Sequence, residues 1–299
     1  VHWLSLAVAS AAFLGLYEVS RKAAVRSNAV LPVLLCANVG GLASLCLLLG
    51  AAALNPSFAG NTGLVVQPLS APMHLAVFAK ACIVTTSWVL AYVAVKHLPI
   101  SIAAPLRSVS PAITVLGALV IFGESPDAKK WLGMTVIFAG YLGFAWLGRK
   151  EGIRFVADRW VLLLVLGTCV GAMSGLYDKV LLQRARLHPT TLQLWFTVYN
   201  VALQVVLCAA FWWRQRAMVP FSLRWTVPMV GVLLVAADQL YFRALAQEKA
   251  LVSVVALARR GSVLVSFTWG GWLFREQLLK QKSWALALIL VGLLILLKG

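Results

Sequence analysis

The chain has 299 residues, 62% of them hydrophobic and 12% charged, with a mean hydropathy of +0.90. A soluble domain carries roughly 45–50% apolar and about 25% charged residues, so too little polar surface is left here to cover a water-soluble globule. Disorder, marked by low hydrophobicity, is excluded by the same figures. The formal charge of +17 would point to nucleic acid in a soluble protein, but most basic residues sit in short connections between apolar runs. Arg149, Lys150, Arg154 and Arg159, or Arg214, Arg216 and Arg224, are examples, and there they orient helices and meet anionic headgroups. The composition predicts an integral membrane protein whose partner is the lipid bilayer, with no role for nucleic acid.

A bilayer core needs about 20 apolar residues per helix, and ten runs qualify. The first, at about 3–20, opens on Val1-His2-Trp3 without a basic leader and reads as a retained helix rather than a signal peptide; it carries Tyr17 and Glu18. The second covers 30–53 and is followed by an uncharged connection, Asn55 to Pro72, suited to the interface. The third, 73–95, holds Lys80, Trp88 and Tyr92, and the two aromatics are expected to line an interior cavity. The fourth, 99–122, sets Arg107 between Pro105 and Pro111, which mark a kink and hinge because proline removes a backbone donor. The fifth, 129–147, offers Gly133, Ala139, Gly140 and Gly143 for close helix packing.

After a basic linker over 149–159, the sixth run, 160–183, carries Tyr177, Asp178 and Lys179. The seventh is 189–212, and the eighth, 226–246, holds Asp238 and Arg243. The ninth, 250–273, brings Arg259, Arg260 and a hinge glycine, Gly261; the tenth is 283–298. These runs are continuously apolar rather than alternating, which excludes β-barrel strands and predicts an all-α fold.

The ten runs form two copies of five. Gly15-Leu16-Tyr17-Glu18 returns as Gly175-Leu176-Tyr177-Asp178, and Ser101, Arg107, Ser110, Phe122, Glu124 and Gly140 fall on Ser253, Arg259, Ser262, Phe274, Glu276 and Gly292. Because five is odd, the second copy enters the membrane from the opposite side. That predicts inverted repeats over 1–148 and 160–299, the arrangement on which many secondary transporters build alternating access around a midplane site.

The stretch from Ser101 through Pro105, Arg107 and Pro111, then Phe122-Gly123-Glu124 and Trp131-Leu132-Gly133 to Gly140, resembles the end of an EamA-type repeat, and Ser253 to Gly292 resembles its partner. The chain thus resembles the drug/metabolite transporter superfamily over nearly its whole length. The resemblance implies a ten-helix carrier with a central cavity that moves small metabolites or amphiphilic compounds without ATP. A weaker similarity, carried by Arg107 four residues before Pro111 and by Arg259-Arg260, points to the triose-phosphate and nucleotide-sugar branch.

Charges inside hydrocarbon cost roughly 2.5–3.5 kcal/mol each on insertion scales and are functional candidates by default. Lys80 and Arg243 stand near run ends and are expected to snorkel to the headgroups. Arg107, Arg259 and Arg260 lie deep. They are read either as ties to Glu18, Asp178 and Asp238 or as a cationic cavity for an anionic substrate group, to which a guanidinium fork is matched. With Lys179, these arginines exceed the three carboxylates by one charge.

Glu18 and Asp178, each following a tyrosine (Tyr17, Tyr177), are read as proton carriers or as helix anchors. The five cysteines show no paired spacing, the four histidines no ligand pattern, and no phosphate loop occurs, so neither an enzyme nor a metal or other cofactor is expected. The expected location is a plasma membrane of bacterial inner-membrane type, as monomer or homodimer. The basic connections divide fourteen against seven between the two sides, which would put both termini outside. The other function class open at this point is a non-transporting scaffold or a lipid-headgroup-handling protein.

Overall fold

An Ala- and Leu-rich stretch without proline carries the first helix, α1 (His2–Val25), past its expected end. It stops where Ser27 takes a left-handed φ of 57°, and the Asn28 side-chain oxygen then accepts from the Ala29 amide to start the next helix. The computed structural model describes residues 2–55, 57, 63–107, 110–122, 127–150, 158–247, 250, 252–259, 261–274 and 279–298. In them α2 (Val30–Leu54) and α3 (Ala71–His97) follow, α3 with proline in its first turn, where the missing N–H costs nothing. The fourth run is described as α4 (Ile100–Arg107) and α5 (Ser110–Phe122), so that Arg107 ends one helix between the two expected hinge prolines. Next comes α6 (Ala128–Lys150), which extends into the stretch expected as linker.

In the second half, Asp158 accepts from the Trp160 amide at 2.8 Å and caps α7 (Arg159–Lys179), which continues through a π-helical turn, Val180–Arg184. His188 and Pro189 open α8 (Pro189–Leu207), also prolonged by a π turn, Cys208–Trp212. Then come α9 (Thr226–Leu245), α10 (Val252–Arg259), α11 over 262–273 and α12 (Leu279–Lys298). Gly261 stands at the turn between α10 and α11, and Arg260 lies outside the described residues.

The protein is an all-helical, multi-pass membrane protein. Among the described residues six helices, α1, α2, α3, α7 and α8 (these two with their π turns) and α9, are long and apolar enough to cross a membrane by length and composition. The described residues of the other four expected runs are also mostly helical. Leu47, Leu54, Val120, Leu142 and Trp284 are each more than two-thirds exposed, and apolar exposure on this scale suits hydrocarbon rather than water.

The interior is held by apolar packing and by polar ties between helices distant in sequence. The main packed pairs are α1 with α9, α3 with α7, α2 with α9, α3 with α8, and α6 with α12. Ser10 Oγ donates to the Ala237 carbonyl, Ser87 Oγ to the Gly167 carbonyl, Thr85 to Asn200 and Asn38 to Gln204, at 2.6–3.1 Å. Lys80 of α3 meets Ser174 and Asp178 of α7 while Ser87 meets Gly167, so these two helices run antiparallel.

At the α6–α12 contact, small residues let the backbones touch. A Cβ on Gly140 would stand 2.6 Å from Ile289 Cγ1 and 2.8 Å from the Ala285 oxygen; one on Gly292 would stand 2.6 Å from Ile137 Cγ1 and 2.7 Å from the Gly133 oxygen. Overpacking of this kind costs about 1–3 kcal/mol. Gly140→Ala and Gly292→Ala should therefore lower the thermal midpoint of the purified protein by closely similar amounts. Unchanged midpoints in both variants would contradict this packing.

Candidate functional site

A charge buried among apolar helices must find a partner of opposite sign or water. The helices answer that requirement around one central cavity of about 140 Å³, room enough for several waters or the polar group of a small solute. α1 supplies Tyr17 to its wall, α3 Lys80, Ser87 and Trp88, α4 Arg107, α7 Ser174 and Asp178, α9 Asp238 and Tyr241, and α10 Arg259.

Three ion pairs organise these groups. Arg107 Nη1 stands 3.1 Å from Glu18 Oε1, with Glu18 2% exposed. Arg259 pairs with Asp238, and its guanidinium lies 4.4 Å from the centre of the Tyr241 ring. Lys80 pairs with Asp178, approaches Ser174 Oγ at 3.4 Å, and sits 4.5 Å and 5.2 Å from the Phe196 and Phe242 ring centres. Beyond Tyr17, the buried Arg21 guanidinium lies 5.3 Å from the Tyr17 ring and 5.2 Å from that of Tyr92, whose hydroxyls are 3.2 Å apart.

Several expected site residues meet here: Tyr17, Trp88, Arg107, Asp178, Asp238 and Arg259 line the cavity, and Glu18 holds Arg107. Tyr92 is packed beside the cavity rather than on its wall, and Tyr177 turns its hydroxyl to the Ala76 carbonyl at 3.3 Å. Glu18 and Asp178, open between proton carrier and anchor, are both ion-pair partners.

Lys80 corrects an expectation. It is 2% exposed and does not reach the headgroups; α3 begins at Ala71, which sets Lys80 about two and a half turns inside the helix, where Asp178 receives it. Arg21, expected in a connection, lies inside α1 because that helix runs to Val25.

Among the described residues the cluster therefore holds four cations, Arg21, Lys80, Arg107 and Arg259, against three carboxylates, Glu18, Asp178 and Asp238. Among the described residues Glu18 Oε2, Arg21 Nε and Nη1, and Arg259 Nε have no hydrogen-bond partner, which leaves polar capacity for water or a solute. No group of three or more His, Cys, Asp or Glu among the described residues could hold a metal ion.

Helices of this length around a charged interior cavity define a membrane protein with a polar site at depth. Residues 1–146 match the EamA-like transporter family. An uncharacterized transporter of Synechocystis sp. is 28% identical over 189 residues, 59% of this chain and 53% of that one, so the chain spans about half the length of this curated relative. A protein crystal structure, 18% identical, superposes over 98% of this chain and 94% of that one with a TM-score of 0.64, which speaks to the fold alone. Over its first 146 residues the chain is thus similar to EamA-like transporters.

Removing one partner of a buried pair leaves an uncompensated charge and costs about 3–5 kcal/mol, whereas replacing both with apolar groups is often neutral. Lys80→Met should destabilise the protein by that amount in denaturant unfolding, and the double variant Lys80→Met/Asp178→Leu should recover most of the loss. Equal stability of parent and Lys80→Met would contradict the pairing.

Proposed function

We propose that the protein is a secondary transporter of small anionic or amphiphilic metabolites in a bacterial-type plasma membrane, working by alternating access of two inverted five-helix repeats. The observation that carries this reading is the placement of Arg107 and Arg259. They are equivalent at a spacing of 152, they line one cavity, and among the described residues a single carboxylate ties each.

Inversion is supported by the packing. Exchanging the two halves turns the α1–α9 contact into the α7–α3 contact, α2–α9 into α8–α3, and α6–α12 into itself. The Gly140 and Gly292 environments are likewise exchanged, Ile289 and Ala285 for Ile137 and Gly133. The domains of this reading are 1–148 and 160–299.

A carboxylate or phosphate entering the cavity competes with Glu18 and Asp238 for guanidinium forks whose planar donors fit it bidentately. The four-to-three charge balance among the described residues favours that exchange, because the anion neutralises the excess cation. A solute shifts a conformational equilibrium only through its different affinity for the two states. An anion bridging Arg107 of one repeat and Arg259 of the other has such a difference when the repeats move relative to each other.

Proteoliposomes should take up at least one member of a panel of organic anions and phosphate esters. Arg107→Gln and Arg259→Gln should cut that flux to below about 1%, as loss of a buried charged partner implies, with helix content and monodispersity retained. Parent-level flux in both variants would remove the reading.

A further inference from the structure

The cavity lies between two layers built alike. Toward one end stand Tyr17 and Tyr92 with Arg21 over both rings; toward the other, Phe196 and Phe242 with Lys80 over both. Outside each layer, one side chain at the end of a long helix reaches across to main-chain carbonyls of another. Lys22 Nζ, on α1, donates to the Val95 and Leu98 oxygens at 2.7 and 2.6 Å, at the end of α3. Gln183 Nε2, in the π turn that prolongs α7, donates to the Leu245 and Ala250 oxygens at 2.9 Å each, at the end of α9, with the Gln247 oxygen at 3.5 Å.

These are the same device used twice. α1 corresponds to α7 at a spacing of 160 and α3 to α9 at about 152; Leu98 and Ala250 are 152 apart, as are Val95 and Gln247. The spacing of 160 would place Leu182 opposite Lys22, but the π turn, closed by the Ala185 amide on the Val180 carbonyl, shifts the register so that Gln183 takes the position. Such turns recur at functional sites. Because α3 and α7 run antiparallel, the two devices sit at opposite ends of the cavity. The donors differ in charge: an ammonium at one end, a neutral amide at the other.

We propose that Lys22 and Gln183 are the latches of the carrier's two gates, an inference that rests on the transport reading above. The cavity opens at one end when Lys22 leaves Val95 and Leu98, and at the other when Gln183 leaves Leu245 and Ala250; the two releases exclude each other. Charge-assisted hydrogen bonds are roughly twice as strong as neutral ones, so the Lys22 end is held more firmly. The resting protein opens preferentially at the Gln183 end.

The test uses the full chain with its five native cysteines replaced and a single cysteine at the cavity wall, Ser87→Cys, in vesicles of defined orientation. A membrane-impermeant thiol reagent is applied from each side. The parent should react faster from the Gln183 side. Lys22→Met, which removes both bonds, should raise the rate from the Lys22 side by at least about tenfold, the order of even one lost hydrogen bond to a charged group, and lower it from the other side. Gln183→Leu should do the reverse, and Lys22→Gln, which retains a donor, should bring the two rates together.

Both rates unchanged, both raised together, or no reaction from either side in any variant would overturn the proposal and leave these bonds as helix-end caps. Reciprocal labelling without solute flux would instead remove the transport reading and keep the gates.

Discussion

Everything in this structure turns on the pairing of ions at membrane depth. Each unpaired charge in hydrocarbon costs about 2.5–3.5 kcal/mol even on the milder scales, so the positions of Glu18, Asp178 and Asp238 dictate where Arg107, Lys80 and Arg259 must lie. One pair is internal to the first half, one to the second, and Lys80 with Asp178 joins the halves. Apolar side chains would hold the same helices together at least as well. Stability therefore does not account for three ion pairs converging on one cavity, and the proposed recognition of a charged solute would.

The surroundings keep these ions in place without fixing the bundle rigidly. Hydroxyl and amide ties, Ser10 to Ala237, Thr85 to Asn200 and Asn38 to Gln204, set which helix faces meet, and each is worth only about 0.6 kcal/mol on average inside membranes. Glycines at 140 and 292 bring α6 and α12 into backbone contact away from the cavity. Close-packed arrangements of this kind switch between discrete states rather than deforming continuously. Weak ties inside a tightly packed periphery suit the alternating access proposed above.

Much of this was legible in the sequence. The helical runs followed from length and hydropathy. Arg107 and Arg259 stood out because a charge eight to ten residues inside an apolar run has few explanations. The match of Gly15–Glu18 with Gly175–Asp178 is what suggested the repeat used in the proposed function.

Lys80 and Arg21 were not legible as interior groups, for one shared reason: distance from the end of an apolar run is a poor measure of depth when the helix outlasts the run. α1 continues to Val25 and α3 starts at Ala71, and both cations were drawn inward. Arg21 left a local trace, since it follows Tyr17 by four residues on one helix face. The partner of Lys80 is 98 positions away, and no local pattern encodes it. The Gln183 register depends on a π turn, and hydrophobic periodicity does not carry that information.

The most direct test is a high-resolution map of the protein in a lipid nanodisc. The account predicts ordered water or a bound anion between Arg107 and Arg259, with acyl chains confined to the outer faces around Leu47, Val120 and Leu142. Acyl-chain density against either arginine, or a space between them closed by apolar side chains, would contradict it.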